Sequence, residues 1–239
     1  MINFKIFDKQ KLIYGITDSS LGPINFEKTN KLVKFINNKN ITEKNLIFAE
    51  QIHQSNIHIG KKGDEGKIIK KVDGIISNLP NQVLVIKTAD CVPMLMYEPI
   101  KKVIAAIHCG RKSLTAGIIP KTIDKMIKSY RISPENILVA IGPYIRKEHY
   151  FLKEKVLKSL KNSKWQKYFF KNDMTSFDLT AAVFDELLIR NILKKNIEDC
   201  KNCTYCDYKK YYSARKREEN PTIYREKFPC FASYIGITK

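Results

Sequence analysis

Residues 72–117 read VDGIISNLPNQVLVIKTADCVPMLMYEPIKKVIAAIHCGRKSLTAG. Two short β-branched runs lie inside this segment. Residues 83–87 form one and stop at Thr88-Ala89-Asp90-Cys91; residues 103–107 form the other and stop at His108-Cys109-Gly110. Each run ends in a side chain that binds soft or borderline metals. Strand ends suit such groups, because a rigid sheet holds them in place while the adjoining loop leaves them open to substrate. His108 follows Cys91 by 17 positions, a spacing that predicts two neighbouring strands.

Working upstream, residues 45–49 predict a strand that leads into Glu50-Gln51-Ile52-His53, and residues 56–59 predict another. His53 is then a third candidate ligand at a strand end. A lone histidine is more often a surface or hydrogen-bonded core residue. Taken together, His53, Cys91 and His108 supply three nitrogen and sulfur ligands and leave one position open, which is the arrangement of a catalytic zinc. Asp90, beside Cys91, is the first candidate for proton transfer or for orienting a ligand imidazole, against the plainer reading of a turn cap.

Composition limits what such a site serves. The 239 residues, 44 % of them hydrophobic and 10 % aromatic, are enough to bury a full core, and no linker interrupts them, so residues 1–239 are expected to form one domain. No window approaches the ~18–20 consecutive apolar residues of a membrane helix, and the first fifteen residues lack an apolar signal core. A cytoplasmic protein with reduced thiols is therefore expected from its six cysteines. The net charge of +19 is spread from end to end instead of gathered on one element, which argues against nucleic acid as the main partner. Only residues 209–217 come close to a basic cluster.

The rest of the chain alternates irregularly between strand and helix signals. Strands are expected at 4–7, 12–16, 137–141, 211–213 and 231–237, and helices at 27–37, 114–130, 153–160 and 179–193, the last capped by Asp178. The start of the 114–130 helix, just after His108-Cys109-Gly110, would aim free N–H groups at an anion. Residues 165–170 are aromatic enough for core or a dimer contact, and 215–227 read as a charged loop. Cys200, Cys203 and Cys206 make two overlapping Cys-x-x-Cys steps. They suggest a second metal site with Cys230 as fourth ligand, or a redox pair; packed or free thiols are the preferred reading.

Several segments carry a resemblance beyond spacing. Gln51-Ile52-His53, Thr88-Ala89-Asp90-Cys91-Val92-Pro93 and His108-Cys109-Gly110-Arg111-Lys112-Ser113 stand in the order and at the separations of the laccase-domain (YfiH-like) family. That family carries Gln-Val-His, Thr-Ala-Asp-Cys-x-Pro and His-Ala-Gly-Trp-Arg-Gly. Val72-Asp73-Gly74, Ile141-Gly142-Pro143, Phe177-Asp178-Leu179, Cys203-Thr204-Tyr205-Cys206 and Tyr212-Ser213-Ala214-Arg215 extend the match from about residue 45 onward.

The resemblance implies a single α/β (α+β) domain with two mixed sheets face to face and helices outside. It implies a zinc ion on His53, Cys91 and His108, with copper able to bind the same ligands in vitro. The implied activity is purine nucleoside phosphorolysis with adenosine deamination in the same pocket, with catalytic roles for Asp90, Cys91 and His108. Nucleoside and phosphate would be met by Gln51, Arg111, Lys112, Arg146 and Arg215, and a neighbouring subunit of a homodimer would border the pocket. Lys112 and Arg146 depart from the family pattern. Lys112 puts a point charge where the family has an arginine fork, and Arg146 adds a charge where it has glycine. A polyphenol oxidase holding several coppers would need many more than four histidines. Two further readings stay open: a cysteine hydrolase using Cys91 and His108, and a basic binding protein without activity.

Overall fold

A computed structural model describes residues 2–26, 29–170 and 173–237. In chain order the elements are β1 (Leu12–Ile16), α1 (Asn30–Ile36), β2 (Leu46–Ala49), β3 (Ile57–Ile59), β4 (Ile68–Ile69), β5 (Gly74–Ser77), β6 (Val83–Thr88), β7 (Val92–Glu98) and β8 (Val103–Cys109). They continue with α2 (Arg111–Thr115), α3 (Ile118–Tyr130), β9 (Leu138–Ile141), α4 (Glu154–Leu160), β10 (Phe169–Phe170), β11 (Asp173–Phe177), α5 (Leu179–Ile189), β12 (Ile197–Asp199), α6 (Ala214–Glu219) and β13 (Phe231–Ile237). One mixed sheet has the order β1-β13-β6-β2-β4, a second has β12-β9-β7-β8-β5-β3, and β10 and β11 form a small hairpin.

Alternation along the strands sorts the layers. In β6, Leu84 and Ile86 point to a core shared with Leu95 of β7 and Ile104 and Ala106 of β8, so this core lies between the sheets. Val83 and Val85, one residue out of step, pack with Leu32 of α1 on the outside of the first sheet. Val103, Ala105, Ile107 and Cys109 of β8 instead face Ile119, Ile123 and Met126 of α3 and Leu187 of α5. A period of two in each strand therefore builds a helix-sheet-sheet-helix stack, the architecture expected from the sequence.

The strands of Cys91 and His108 are not neighbours, contrary to the spacing argument. β6 belongs to the first sheet and β8 to the second. Thr88-Ala89-Asp90-Cys91 carries the chain from one sheet to the other, and the 17-residue interval holds the unexpected strand β7 as well as the turn to β8. β7 pairs antiparallel with β8, with Val92 opposite Cys109 and Pro93 opposite His108. Cys91 reaches His108 through that hairpin register.

Other expectations change for local reasons. Residues 4–7 form no strand: Lys5–Phe7 is a single 3₁₀ turn that buries Phe4 and Phe7 together, as residues three apart do. The helix expected over 114–130 is broken at Gly117, whose φ of 82° lies in the left-handed region, leaving α2 and α3 as separate helices. The turn after Gly110 is thus only the five residues of α2, too short for the helix dipole expected there. Residues 211–213 are not a strand; Ser213 caps α6 by accepting from Lys216 N, and α6 occupies the start of the expected charged loop. Of the two readings of 165–170, core holds for Trp165 and Tyr168, which are buried under the second sheet. Of the 27–37 helix, α1 remains, and residues 27 and 28 lie outside the described residues. Asp178 does cap α5, accepting from Ala181 N. No helix among the described residues is long and apolar enough to cross a membrane.

Leu95 tests the layer assignment. It is buried between the sheets and has Ala106 and Ala140 as its register partners on either side, so nothing beside it can fill the space it leaves. Leu95→Ala is expected to cost about 2–5 kcal/mol in urea denaturation; a loss under about 1 kcal/mol would show that this layer is not a packed core.

Candidate active site

Three elements bring the expected ligands together. His53 lies in the loop after β2 with a φ of 58°, Cys91 ends the crossing between the sheets, and His108 closes the inter-sheet face of β8. Their ligand atoms all lie within 4.8 Å of one another. The two imidazoles meet edge to face with centroids 4.7 Å apart. His108 has the parity of Ile104 and Ala106, whereas Cys109 turns its thiol under α3, where burial holds its pKa well up. Adjacent potential ligands in His108-Cys109 are thus separated by the pleat.

Asp73, just before β5, organises the group. Its Oδ1 accepts from His53 N at 2.8 Å and faces His108 Nδ1 at 2.9 Å, while Oδ2 accepts from Gln54 N at 2.8 Å. His108 N donates to the Asp73 carbonyl at 2.8 Å. Burial would raise the Asp73 pKa, but the hydrogen bonds from His108 and the two backbone amides outweigh it and hold the carboxyl ionised. An ionised carboxylate only accepts, so Nδ1 carries the proton and the Nε2 lone pair of a neutral ring is left for a metal. Asp90 was expected to transfer a proton, to orient an imidazole or to cap its turn; the carboxylate that meets the His108 ring is that of Asp73.

Asp90 has a different task. Its φ is 81°, and its carboxylate accepts from Thr204 Oγ1 at 2.6 Å and Arg215 N at 2.7 Å, bonds that hold the corner before Cys91. Burial raises its pKa against those bonds. It is not among the residues that line the cavity.

Cys91 and His108 perturb one another. Burial would raise the Cys91 pKa, but the charge and hydrogen bonds of His108 and His53 bring it down to about 6. Burial would likewise lower His108, yet the Cys91 thiolate and Asp73 raise it to about 9. Without a metal the pair is therefore a thiolate and an imidazolium near neutral pH. The donor set fits a metal of the zinc and copper class: a ready thiolate, one imidazole fixed by a carboxylate and a second facing it. A side chain at Gly110 would not be tolerated, since a Cβ there would stand 2.7 Å from Cys91 Sγ.

The group forms the floor of a cavity of about 410 Å³, within the usual range for small-molecule sites. Phe26 and Phe228 supply aromatic faces to its walls, Phe228 being 76 % exposed, and Lys87 and Arg217 supply positive charge. Lys87 stands over the Phe26 ring at 3.6 Å, and burial lowers its pKa. The Arg217 guanidinium lies 5.2 Å from the Phe228 ring, and its buried Nε has no hydrogen-bond partner among the described residues. Neither cation nor either phenylalanine was singled out in the sequence, because nothing local distinguishes them from the many other lysines and aromatics.

Of the expected substrate-binding residues, only Gln51 lines the cavity, and its amide is paired with the backbone of Lys87, at 2.6 Å to the carbonyl and 2.8 Å to the N–H. Arg146 is turned away from it: its guanidinium pairs with both oxygens of Asp199, at 2.6 and 2.7 Å, and lies 3.7 Å from the centroid of the Tyr144 ring. Arg111 and Arg215 do converge, at Tyr150. The Arg111 charge works against the burial that raises the Tyr150 pKa, and Arg215 stands 5.8 Å from the Tyr150 ring while donating to the carbonyls of His149 and Phe151. Lys112 is exposed on α2.

Comparison with known proteins places this arrangement. A family model described as multi-copper polyphenol oxidoreductase laccase matches residues 28–222. The chain belongs to this laccase-like family. Among its relatives, a purine nucleoside phosphorylase of Rickettsia prowazekii is 31 % identical over 188 residues, 76 % of this chain and 75 % of the relative. A purine nucleoside phosphorylase of Bacteroides thetaiotaomicron is 28 % identical over 183 residues, 72 % of this chain and 68 % of the relative. The fold is that of the crystal structure of the hypothetical protein YfiH from Bacillus licheniformis, with a TM-score of 0.83 over 95 % of this chain and 93 % of that one at 23 % identity. The laccase-like family implies a metal centre, and the group of His53, Cys91 and His108 fits one.

Asp73→Asn keeps the shape but removes the charge that orients His108. Metal affinity is expected to fall about 10–100-fold, measured by competition with a chromophoric chelator. In metal-free protein the thiolate absorbance of Cys91 should titrate near pH 6, with the thiolate present above that pH and lost below it. In His108→Ala the midpoint should move up toward that of an ordinary thiol.

Proposed function

We propose that this protein is a zinc-dependent purine nucleoside phosphorylase, which joins phosphate to C1′ of a purine nucleoside and releases the free base and ribose 1-phosphate. One observation carries the reading: two imidazoles and a thiolate converge within 4.8 Å at the floor of a cavity whose walls hold aromatic faces and cations. The names of the relatives from Rickettsia prowazekii and Bacteroides thetaiotaomicron point the same way. His53, Cys91 and His108 would hold the zinc, which supplies a positive charge able to fix and polarise an anionic oxygen.

The chain's own residues account for the rest. Asp73 keeps His108 in one tautomer and one orientation, and Asp90 locks the corner that presents Cys91. Phe26 and Phe228 offer π-faces to a purine, and Lys87 and Arg217 offer charge to phosphate, so that nucleophile and nucleoside are held together. Breaking the glycosidic bond leaves positive charge on the ribose and negative charge on the base, and an apolar wall with a few fixed charges is suited to that separation. Adenosine deamination in the same cavity would need a proton carrier. Of the two wall carboxylates, Glu50 is bound by Lys70 and by Lys71 N, which leaves Glu218, 3.6 Å from Arg215.

Several coppers find no place in this reading. The chain has four histidines, and one of them, His58, is paired with Asp64 at 2.7 Å. The cysteine-hydrolase reading retains a specific observation, since Cys91, His108 and Asp73 stand as nucleophile, base and orienting carboxylate. His53 argues against it, because a thiol nucleophile needs one base and not a second imidazole on the same sulfur.

Zinc-loaded protein incubated with adenosine or inosine should release free base only when phosphate is present, as followed by chromatography. Cys91→Ala and His108→Ala should abolish that release together with the zinc held by this group. Base release that persists in zinc-free Cys91→Ala would overturn the reading, as would a fully loaded protein that leaves every purine nucleoside intact. Hydrolase chemistry is dropped if the purified protein holds a zinc that is expelled when Cys91 is alkylated.

A further inference from the structure

A second group of soft ligands lies outside the cavity and is used by none of the chemistry above. Cys203, Cys206 and His149 place two sulfurs and an imidazole nitrogen within 4.8 Å of one another. His149 Nε2 stands 3.1 Å from Cys206 Sγ. Zinc–sulfur and zinc–nitrogen bonds of about 2.3 and 2.0–2.1 Å put neighbouring ligand atoms of a tetrahedron roughly 3.5–3.8 Å apart.

The backbone of the group is already held. Cys203 bridges Tyr144, Thr204 N donates to the Tyr144 carbonyl at 3.1 Å, and Asp207 N closes the turn onto the Cys203 carbonyl at 2.9 Å. Tyr205, between the two cysteines, stacks on His149 with centroids 4.2 Å apart and rings 19° from parallel, and its hydroxyl donates to Glu219 Oε2 at 2.7 Å. The imidazole is thereby held flat over the Cys-x-x-Cys turn. Cys203 is buried and Cys206 exposed, so the group is supported from within and open to solvent on one side. Glu148 and Asp207 add negative charge close to Cys206, a field that favours a cation.

We propose that His149, Cys203 and Cys206 form a second metal site for a zinc-class ion, with water from the open side as fourth ligand. Two thiolates neutralise the charge of a divalent ion, and the protons of both thiols are released on binding. The chain supplies the ligands from places the sequence reading did not pair. Cys230 lines the active cavity, Cys200 is outside the group, and His149 comes from 54 positions before Cys203. Thr204, which anchors Asp90, lies inside the same Cys-x-x-Cys turn, so an ion here stiffens the support of the corner that presents Cys91. The proposal stands independently of the reaction assigned to the first site.

Cobalt(II) is the probe. Full-length Cys91→Ala protein, stripped with chelator and kept reduced with a phosphine, removes the thiolate of the first site. On titration it should still develop a thiolate-to-cobalt charge-transfer band saturating at one equivalent. Adding Cys206→Ser or His149→Ala should weaken that binding at least tenfold; both positions are at or near the surface, and circular dichroism checks that the variants stay folded. Native mass spectrometry of wild-type protein in zinc should show two ions per chain, and of Cys206→Ser one. The proposal fails if the Cys91→Ala protein shows no such band, if the band persists unchanged in both added variants, or if wild-type protein takes a single zinc.

Discussion

The buried carboxylate of Asp73 ties the site together. It accepts from the backbone of the His53 loop with both oxygens and from the ring of His108 with one, so the two histidines are fixed relative to each other by a single side chain. An ionised group in such a place would be costly without partners. Here its bonds come from the left-handed turn at His53 and from the ring of His108, while the backbone carbonyl of the same residue takes His108 N. The charge of Asp73 together with the Cys91 thiolate also balances a divalent ion.

That carboxylate can act because the two sheets meet where they do. The chain leaves the first sheet at Thr88 and enters the second at Val92, and the hairpin that follows returns it one residue short of its start, with His108 opposite Pro93. The corner has a φ that favours glycine, at a residue that is aspartate. Thr204 and the amide of Arg215 hold it there through the Asp90 side chain, linking the C-terminal third of the chain to the placement of Cys91.

The basic character of the chain is put to structural use in several places. Arg146 closes a partly buried pair with Asp199, Arg215 binds carbonyls of the 149–151 segment, and Lys216 stands over the Tyr205 ring at 4.2 Å. The cations that face the cavity, Lys87 and Arg217, each lie against an aromatic ring. Guanidinium and ammonium groups held this way give up rotamer freedom before any ligand arrives, which lowers the ordering cost of binding one.

By itself the sequence determined the ligand types and about half of the strands, and through its resemblance the family and the layered α/β class. Ligand residues at the ends of β-branched runs are local patterns, and so are the apolar face of α3 and the cap of α5. What tertiary structure decided is which of these patterns meet. A 17-residue interval looks the same whether it joins neighbours in one sheet or crosses between two, and nothing near Asp73 in sequence shows that it will orient His108 thirty-five positions later. Likewise Arg146 and Arg215 look like substrate cations until Asp199 and the 149–151 carbonyls are seen beside them, and His149 looks unrelated to Cys203 and Cys206. Pairing between distant segments is set by register and by the parity of the pleat, and a shift of one residue would have sent His108 under the helices and brought Cys109 to the cavity.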